Sequence, residues 1–128
     1  MKILDTTFLI DLLRGKKGLQ KIVETDEPLF TTQLNMYEVI RGLFYRNISA
    51  RKMAEANDLF ENIKVLSLDD NSIIKAAEIS AELTKQGEMI SDCDCMMAGI
   101  ASSKGMNKIV TRNAKHFRKI KGMTVETY

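Results

Sequence analysis

Four stretches of the sequence place oxygen-bearing side chains where a folded chain could use them for chemistry. Asp5 directly follows the apolar run Lys2-Ile3-Leu4 and precedes a helix-like segment. Glu38 sits among apolar neighbours in LNMYEVIRGL, one turn past Leu34. Asp92 and Asp94 stand two residues apart in MISDCDCMMAGIA, at the head of the most apolar helical run in the chain. Thr111-Arg112-Asn113 closes a strand-like run and opens a basic one. Each has an ordinary structural account. Asp and Asn are strong helix N-caps, and Glu38 could pair with Arg41 or lie on an exposed helix edge. Those accounts do not cover everything. Thr6 and Thr7 can also cap, which frees Asp5. Glu38 in mid-helix has no capping role, and one cap does not need both Asp92 and Asp94. At a helix start, Asp94 would meet the positive end of the dipole and stay ionised.

Carboxylates gathered from separate parts of a chain repel one another and need a compensating cation. Hard oxygen ligands select Mg²⁺ or Mn²⁺. Zinc is not indicated, because Cys93-x-Cys95 alone is a weak ligand motif. No GxGxxG or GxxxxGK[ST] motif calls for a nucleotide cofactor. The only histidine, His116, lies in a basic segment and reads as a surface or partly packed residue, so no Ser-His-Asp or Cys-His arrangement is apparent.

The elements that must position these groups follow from periodicity and caps. Strands are expected at Lys2-Ile3-Leu4, Leu29 to Thr32, Val65 to Leu68, Ile109 to Thr111 and Met123 to Val125. Helices are expected over Phe8 to Arg14, capped by Thr6 or Thr7, and over Gly18 to Thr25. Others run from Leu34 to Tyr45, from Ala50 to Ile63 with Ser49 as cap, and from Asp69 to Gly87. Asp92 or Asp94 opens the next, ended by Gly105, and a short basic helix covers AKHFRKIKG. Strands separated by helices imply right-handed crossovers and an α/β fold: a mostly parallel sheet of four or five strands flanked by helices. In such sheets the site lies beyond the carboxyl ends of the strands. That rule points to Asp5, Thr32, the region after Leu68, and Thr111 to Asn113.

At 128 residues the chain fits one domain spanning 1–128, with no internal repeat or linker. Hydrophobic residues are 45% and charged residues 28%, as in ordinary globular proteins. The net charge of +2 declares no partner, but its distribution does: Lys104 to Lys121 carries seven basic residues and no acid. Asp5 and Asp11 interrupt the apolar start, so it does not read as a secretory core. The longest uncharged run, Pro28 to Tyr37, is half of a membrane span. Cys93 and Cys95 are too close for a useful disulfide. A soluble cytoplasmic protein with no membrane association is the expectation.

In this order the segments resemble the PIN-domain ribonucleases, in particular the VapC-type toxins of toxin–antitoxin pairs. LDTTFLIDLLRG is similar to the family opening LDTN-x-LI, with Thr7 where Asn is usual. TTQLNMYEVIRGL resembles the strand followed by an acidic helix, with Glu38 at the acidic position. DCDCMMAGIA resembles D-x-x-I-A and puts Asp94 at the metal-binding aspartate. IVTRNAKHF resembles the closing T-x-[ND]-x-x-HF, with Asn113 at the last acidic position. The likeness covers nearly the whole chain.

The resemblance implies a catalytic set of Asp5, Glu38, Asp94 and Asn113. It implies one or two Mg²⁺ or Mn²⁺ ions on Asp5, Glu38 and Asp94, with Asp92 as an auxiliary ligand. The metal would lower the pKa of a water that attacks the RNA phosphorus and leaves 5′-phosphate ends. Arg112, Lys115, Arg118 and Lys119 would contact the RNA backbone. Few aromatics, 6% with no Trp, argue against a broad base-stacking platform. The apolar surplus between Leu34 and Ile63 would be core or, as in the family, a homodimer surface or a groove for an antitoxin helix. Two other readings compete. A catalytically inactive PIN-like RNA-binding or scaffold protein would use the acids only as caps, and mid-helix Glu38 argues against it. A receiver-type phosphoacceptor needs adjacent acids after strand 1, where Asp5 stands alone. Asp69-Asp70 after strand 3 fit a helix cap better.

Overall fold

The computed structural model describes residues 1–128. Short apolar strands form its centre because alternate side chains on a strand point to opposite faces. In β1 (Lys2–Leu4), Ile3 faces one core layer and Leu4 the other. In β4 (Lys108–Val110), Ile109 and Val110 divide the same way. The remaining strands are β2 (Leu29–Thr32), β3 (Lys64–Leu66) and β5 (Thr124–Glu126). All neighbours pair in parallel in the order β3-β2-β1-β4-β5. The parallel α/β fold expected from sequence is the one found, with five strands.

Helices cover both faces. α1 (Thr6–Leu13), α2 (Gln20–Val23), α3 (Gln33–Tyr45) and α4 (Ala50–Asn62) close the layer of Leu4, Phe8, Leu9, Val39, Phe60 and Val110. α5 (Asp70–Lys85), α6 (Asp92–Ser103) and α7 (Ala114–Phe117) close the layer that holds Ile3, Ile100, Ile109 and Phe117. The chain builds β1, β2 and β3 outward, then returns to lay β4 on the other side of β1. Strand order therefore reverses between β1 and β4, and a crevice opens there beyond their carboxyl ends. Asp5 and Thr111 are the first residues past those two strands.

α5 and α6 approach unusually closely at Gly99. A Cβ there would lie 2.5 Å from the Ser72 carbonyl oxygen and 2.8 Å from the Ala76 Cβ, so no larger side chain fits without displacement. This contact sets the depth of α6, which carries Asp94 at its first turn. No helix is long and apolar enough to cross a membrane.

Several boundaries differ from the sequence expectations, for local reasons. α1 begins at Thr6, with Asp5 at the N-cap position and no side-chain cap bond. Thr6 and Thr7 therefore lie inside the helix, and their hydroxyls are free for other partners. α6 is capped by Ser91, whose hydroxyl accepts from the Asp94 N–H at 3.2 Å, so neither Asp92 nor Asp94 is the cap. The helix expected over Gly18 to Thr25 shrinks to one turn, and the basic helix ends at Phe117. Asp69 does cap α5, accepting from the Ser72 N–H at 2.9 Å.

Candidate active site

Asp5 is buried at the carboxyl end of β1. Its Oδ2 accepts from the Thr111 hydroxyl at 2.5 Å and from the Thr7 hydroxyl at 3.4 Å. Its Oδ1 accepts from the Asn35 amide at 3.2 Å. Every one of these partners is neutral. Burial pushes the Asp5 carboxyl above the usual range. Hydrogen bonds from Thr111, the Thr6 N–H and Thr7 oppose that rise, and the Asp94 charge adds to it.

Asn35 reaches Asp5 because of how α3 starts. Thr32 is the N-cap and Asn35 its third helical residue, and the two form a reciprocal capping box. The Asn35 Oδ1 accepts from the Thr32 hydroxyl at 2.7 Å, which turns the amide nitrogen toward Asp5. The same nitrogen lies 3.1 Å from the Thr6 hydroxyl oxygen and 3.0 Å from the Met97 sulfur. One turn on, Glu38 stands at the exposed rim, where Thr6 donates its hydroxyl to Oε1 at 3.0 Å. No ion pair joins Glu38 to Arg41. Partial desolvation raises the Glu38 carboxyl most, the Thr6 bond opposes this, and the charges of Asp5 and Asp94 raise it further.

Asp94 is half-buried in the first turn of α6, and its Oδ2 lies 3.2 Å from the His116 Nδ1. Asp92 is exposed in the same turn; its charge acts on Cys93 and Cys95 and is not among the influences on Asp5 or Glu38. Asn113 occupies the N-cap position of α7 without a side-chain cap bond, and its N–H donates to the Thr111 hydroxyl at 2.9 Å.

The structure thus brings Asp5, Glu38 and Asp94 into one electrostatic neighbourhood. It does not close them into a ligand cage: no three His, Cys, Asp or Glu side chains stand close enough together to hold a metal ion. Like charges favour separate partners, and each acid has one: neutral donors for Asp5, Thr6 for Glu38, His116 for Asp94. The donor set itself, carboxylate oxygens from three separate elements, is the chemistry of a hard-cation site. Asn35 escaped the sequence reading, which took Thr6 and Thr7 as caps and His116 as a surface or partly packed residue. The threonines carried a signal in the opening LDTT, and His116 in the closing HF.

The basic segment divides. Lys115 and Arg118 are exposed. Arg112 is half-committed, its Nε 3.1 Å from the Asp11 carboxylate. Lys119 lines a different groove of about 510 Å³ with Lys75, Glu78, Gln86, Asn107 and Lys121. Asn107 and Gly122 lead into β4 and β5, so that groove lies at the amino ends of the strands, opposite the acidic crevice. The apolar stretch from Leu34 to Ile63 is mainly core: Val39 and Phe60 are buried, with Met36, Ile40, Leu43 and Leu59 packed on them. Tyr37, Phe44 and Tyr45 remain exposed on α3.

A parallel α/β domain with an acidic crevice at its topological switch point defines the class. Within it, the PIN domain family profile matches residues 2–123, and the chain belongs to that family. It is 27% identical over 128 residues to the tRNA(fMet)-specific endonuclease VapC of Shigella flexneri, covering 98% of this chain and 96% of that protein. It is 28% identical over 127 residues to Ribonuclease VapC1 of Methanocaldococcus jannaschii, covering 98% and 85% respectively. Among solved structures it is similar to DNA-bound VapBC from Salmonella typhimurium, with a TM-score of 0.83, 26% identity, and coverage of 98% and 96%. VapBC2 from Rickettsia felis, bound to a promoter DNA fragment, shares the fold at a TM-score of 0.90 and 15% identity, over 99% of this chain and 98% of that one.

Proposed function

We propose that residues 1–128 form one PIN-like endoribonuclease domain, the toxin of a VapBC-type toxin–antitoxin pair. It hydrolyses RNA phosphodiester bonds with Mg²⁺ or Mn²⁺. One observation carries this reading: buried Asp5 has only neutral hydrogen-bond partners while the charges of Glu38 and Asp94 lie beside it. A buried carboxyl among other acids either takes up a proton or needs a cation to stay ionised. Asp5, Glu38 and Asp94 would hold that ion, with Asp92 as an auxiliary ligand swinging in from the rim. When bound, the ion supplies an activated water and polarises the phosphate.

The chain does the rest. Thr111 and Asn35 fix both oxygens of Asp5, so its orientation is set before any ligand arrives. Asn113, whose N–H donates to the Thr111 hydroxyl, would hydrogen-bond the scissile phosphate or its water. Arg112, Lys115 and Arg118, which follow the site in sequence, would bind the RNA backbone; Lys119 would join them only for an RNA long enough to round the sheet edge. The antitoxin would dock an apolar helix over the small hollow of about 130 Å³ among Ile10, Leu13, Leu43 and Ile48, rimmed by Arg14 and Lys52. A cytoplasmic homodimer completes the proposal. The relatives named as VapC nucleases and the VapBC complexes of similar fold support it.

The open ligand set favours a second reading, a catalytically silent RNA-binding protein of the same fold. One experiment separates them: incubation of a mixed RNA pool that includes initiator tRNA with Mg²⁺, Mn²⁺ or EDTA, using wild type and Asp94→Asn. Metal-dependent cleavage that Asp94→Asn loses, with RNA binding retained, is the expected result. Cleavage equal in EDTA, or equal in Asp94→Asn, would overturn the metal nuclease.

A further inference from the structure

We propose that Thr6 and Asn35 are positioning residues that tie Glu38 to Asp5 and so align two carboxylates for one cation. The inference rests on the metal-site reading above and names the device that organises that site. Thr6 follows Asp5 directly in the chain, and its hydroxyl donates to Glu38 Oε1 at 3.0 Å. The Asn35 amide nitrogen spans the gap, 3.2 Å from Asp5 Oδ1 and 3.1 Å from the Thr6 hydroxyl oxygen.

Neither contact is explained by folding alone. Asp5, not Thr6, is the N-cap residue of α1, and the hydroxyl of Thr6 serves no cap. Asn35 needs only its carbonyl oxygen for the α3 capping box. Its amide nitrogen, fully buried, is turned to the acidic side. Glu38, by contrast, is an exposed side chain with three rotatable bonds, and nothing else in the structure holds its carboxylate. Without the bridge it would sample the rim freely, and a cation would have to order it on binding. Partners of this kind fix the orientation of ligands and raise metal affinity.

The test titrates Mn²⁺ alone into the full chain and reads binding by electron paramagnetic resonance. Thr6→Val removes the hydroxyl at nearly constant shape, and Mn²⁺ affinity should fall about tenfold. Thr6→Ser keeps the hydroxyl and should restore it. In a Glu38→Gln background Thr6→Val should cost nothing more, because its effect runs through Glu38. Melting in EDTA checks that each variant folds; if Thr6→Val does not, Thr6→Ala takes its place. Equal Mn²⁺ affinity for wild type and Thr6→Val would overturn the bridge while leaving the metal site standing. So would a full additional loss in the Glu38→Gln background. A wild type that takes up no Mn²⁺ would overturn both.

Discussion

Asp5 and Asp11 stand at the two ends of α1, and both are buried, yet their surroundings are opposite. Asp11 accepts from the Tyr128 hydroxyl at 2.8 Å, with the Arg112 Nε at 3.1 Å and the Lys16 Nζ at 3.9 Å. Tyr128 packs edge-on against Phe8, with ring centroids 5.2 Å apart, and Lys16 lies over its ring. Burial first, and then the Asp11 carboxylate, push the Tyr128 phenol up to about 12, so it stays a donor at any physiological pH. Asp11 is therefore neutralised within the chain and fastens α1 to the segments around Arg112 and Tyr128. Asp5 meets hydroxyls, an amide and further acids, and no cation. Burial alone does not mark a functional carboxylate. What sets Asp5 apart is burial without a cationic partner in the chain, the condition under which the proposed ion would bind.

The sharpest way to break this contrast is to remove each carboxyl in turn. Asp5→Asn should abolish RNA cleavage and the thermal stabilisation by Mn²⁺, while raising slightly the melting temperature in EDTA. In wild type, Mn²⁺ at 100 times its dissociation constant should add about 2.7 kcal/mol by mass action. A wild-type melting curve that ignores millimolar Mn²⁺ would defeat the assignment of Asp5. Asp11→Asn should do the reverse in EDTA, losing about 1–3 kcal/mol as the phenol and guanidinium lose their charged acceptor. Its Mn²⁺-induced shift should persist, and denaturant unfolding with and without metal measures both.

A comparable loss is expected from Gly99→Ala, about 1–3 kcal/mol, because a methyl must displace the Ser72 carbonyl. If the displacement tilts α6, Mn²⁺ affinity falls as well, since Asp94 rides on that helix. A variant as stable as wild type would show that α5 and α6 can separate freely.

The pH dependence of stability should also set the acidic crevice apart from the cap of α5. The carboxyls of Asp5 and Glu38 are raised in the folded state, so the fold binds more protons there than the unfolded chain. Metal-free stability should therefore fall as pH climbs from the ordinary carboxylate values of 3.8 and 4.5 through the raised ones. Asp69 works the other way: its pKa is lowered to about 2, so its contribution disappears as pH falls from 3.8 toward that value. Mn²⁺ or Asp5→Asn should flatten the first slope and leave the second. Identical slopes with and without metal in wild type would separate Asp5 from any cation.

The smallest effects belong to the basic segment. Lys115→Ala should weaken single-stranded RNA binding similarly for all sequences and reduce its salt slope by about 0.7. Lys119→Ala, at the other end of the sheet, should change the binding of short RNA less. Filter binding across a salt series reads both, and an equal loss for the two variants would place RNA along the amino-end groove as well.

The strands, the long helices and the chain positions of Asp5, Glu38 and Asp94 relative to them were legible in the sequence, because each rests on local information. Period-two alternation fixes Ile3 and Leu4 on opposite faces, spacing of three and four places Val39 on a buried helix face, and caps such as Ser49 and Asp69 fix helix starts. The parallel order could be inferred because short strands joined through helices leave few alternatives. What tertiary structure decided was the partner of each acid. Asp5 and Asp11 look alike along the chain. They differ only because Thr111 and Asn35 arrive beside one, and Tyr128 and Arg112 beside the other, over separations that no local pattern encodes. The same holds for Lys119, which belongs to one basic run in sequence and to the opposite end of the sheet in space. Secondary structure follows from neighbours along the chain, whereas the electrostatics of a site follow from neighbours across it, and those exist only once the chain has folded.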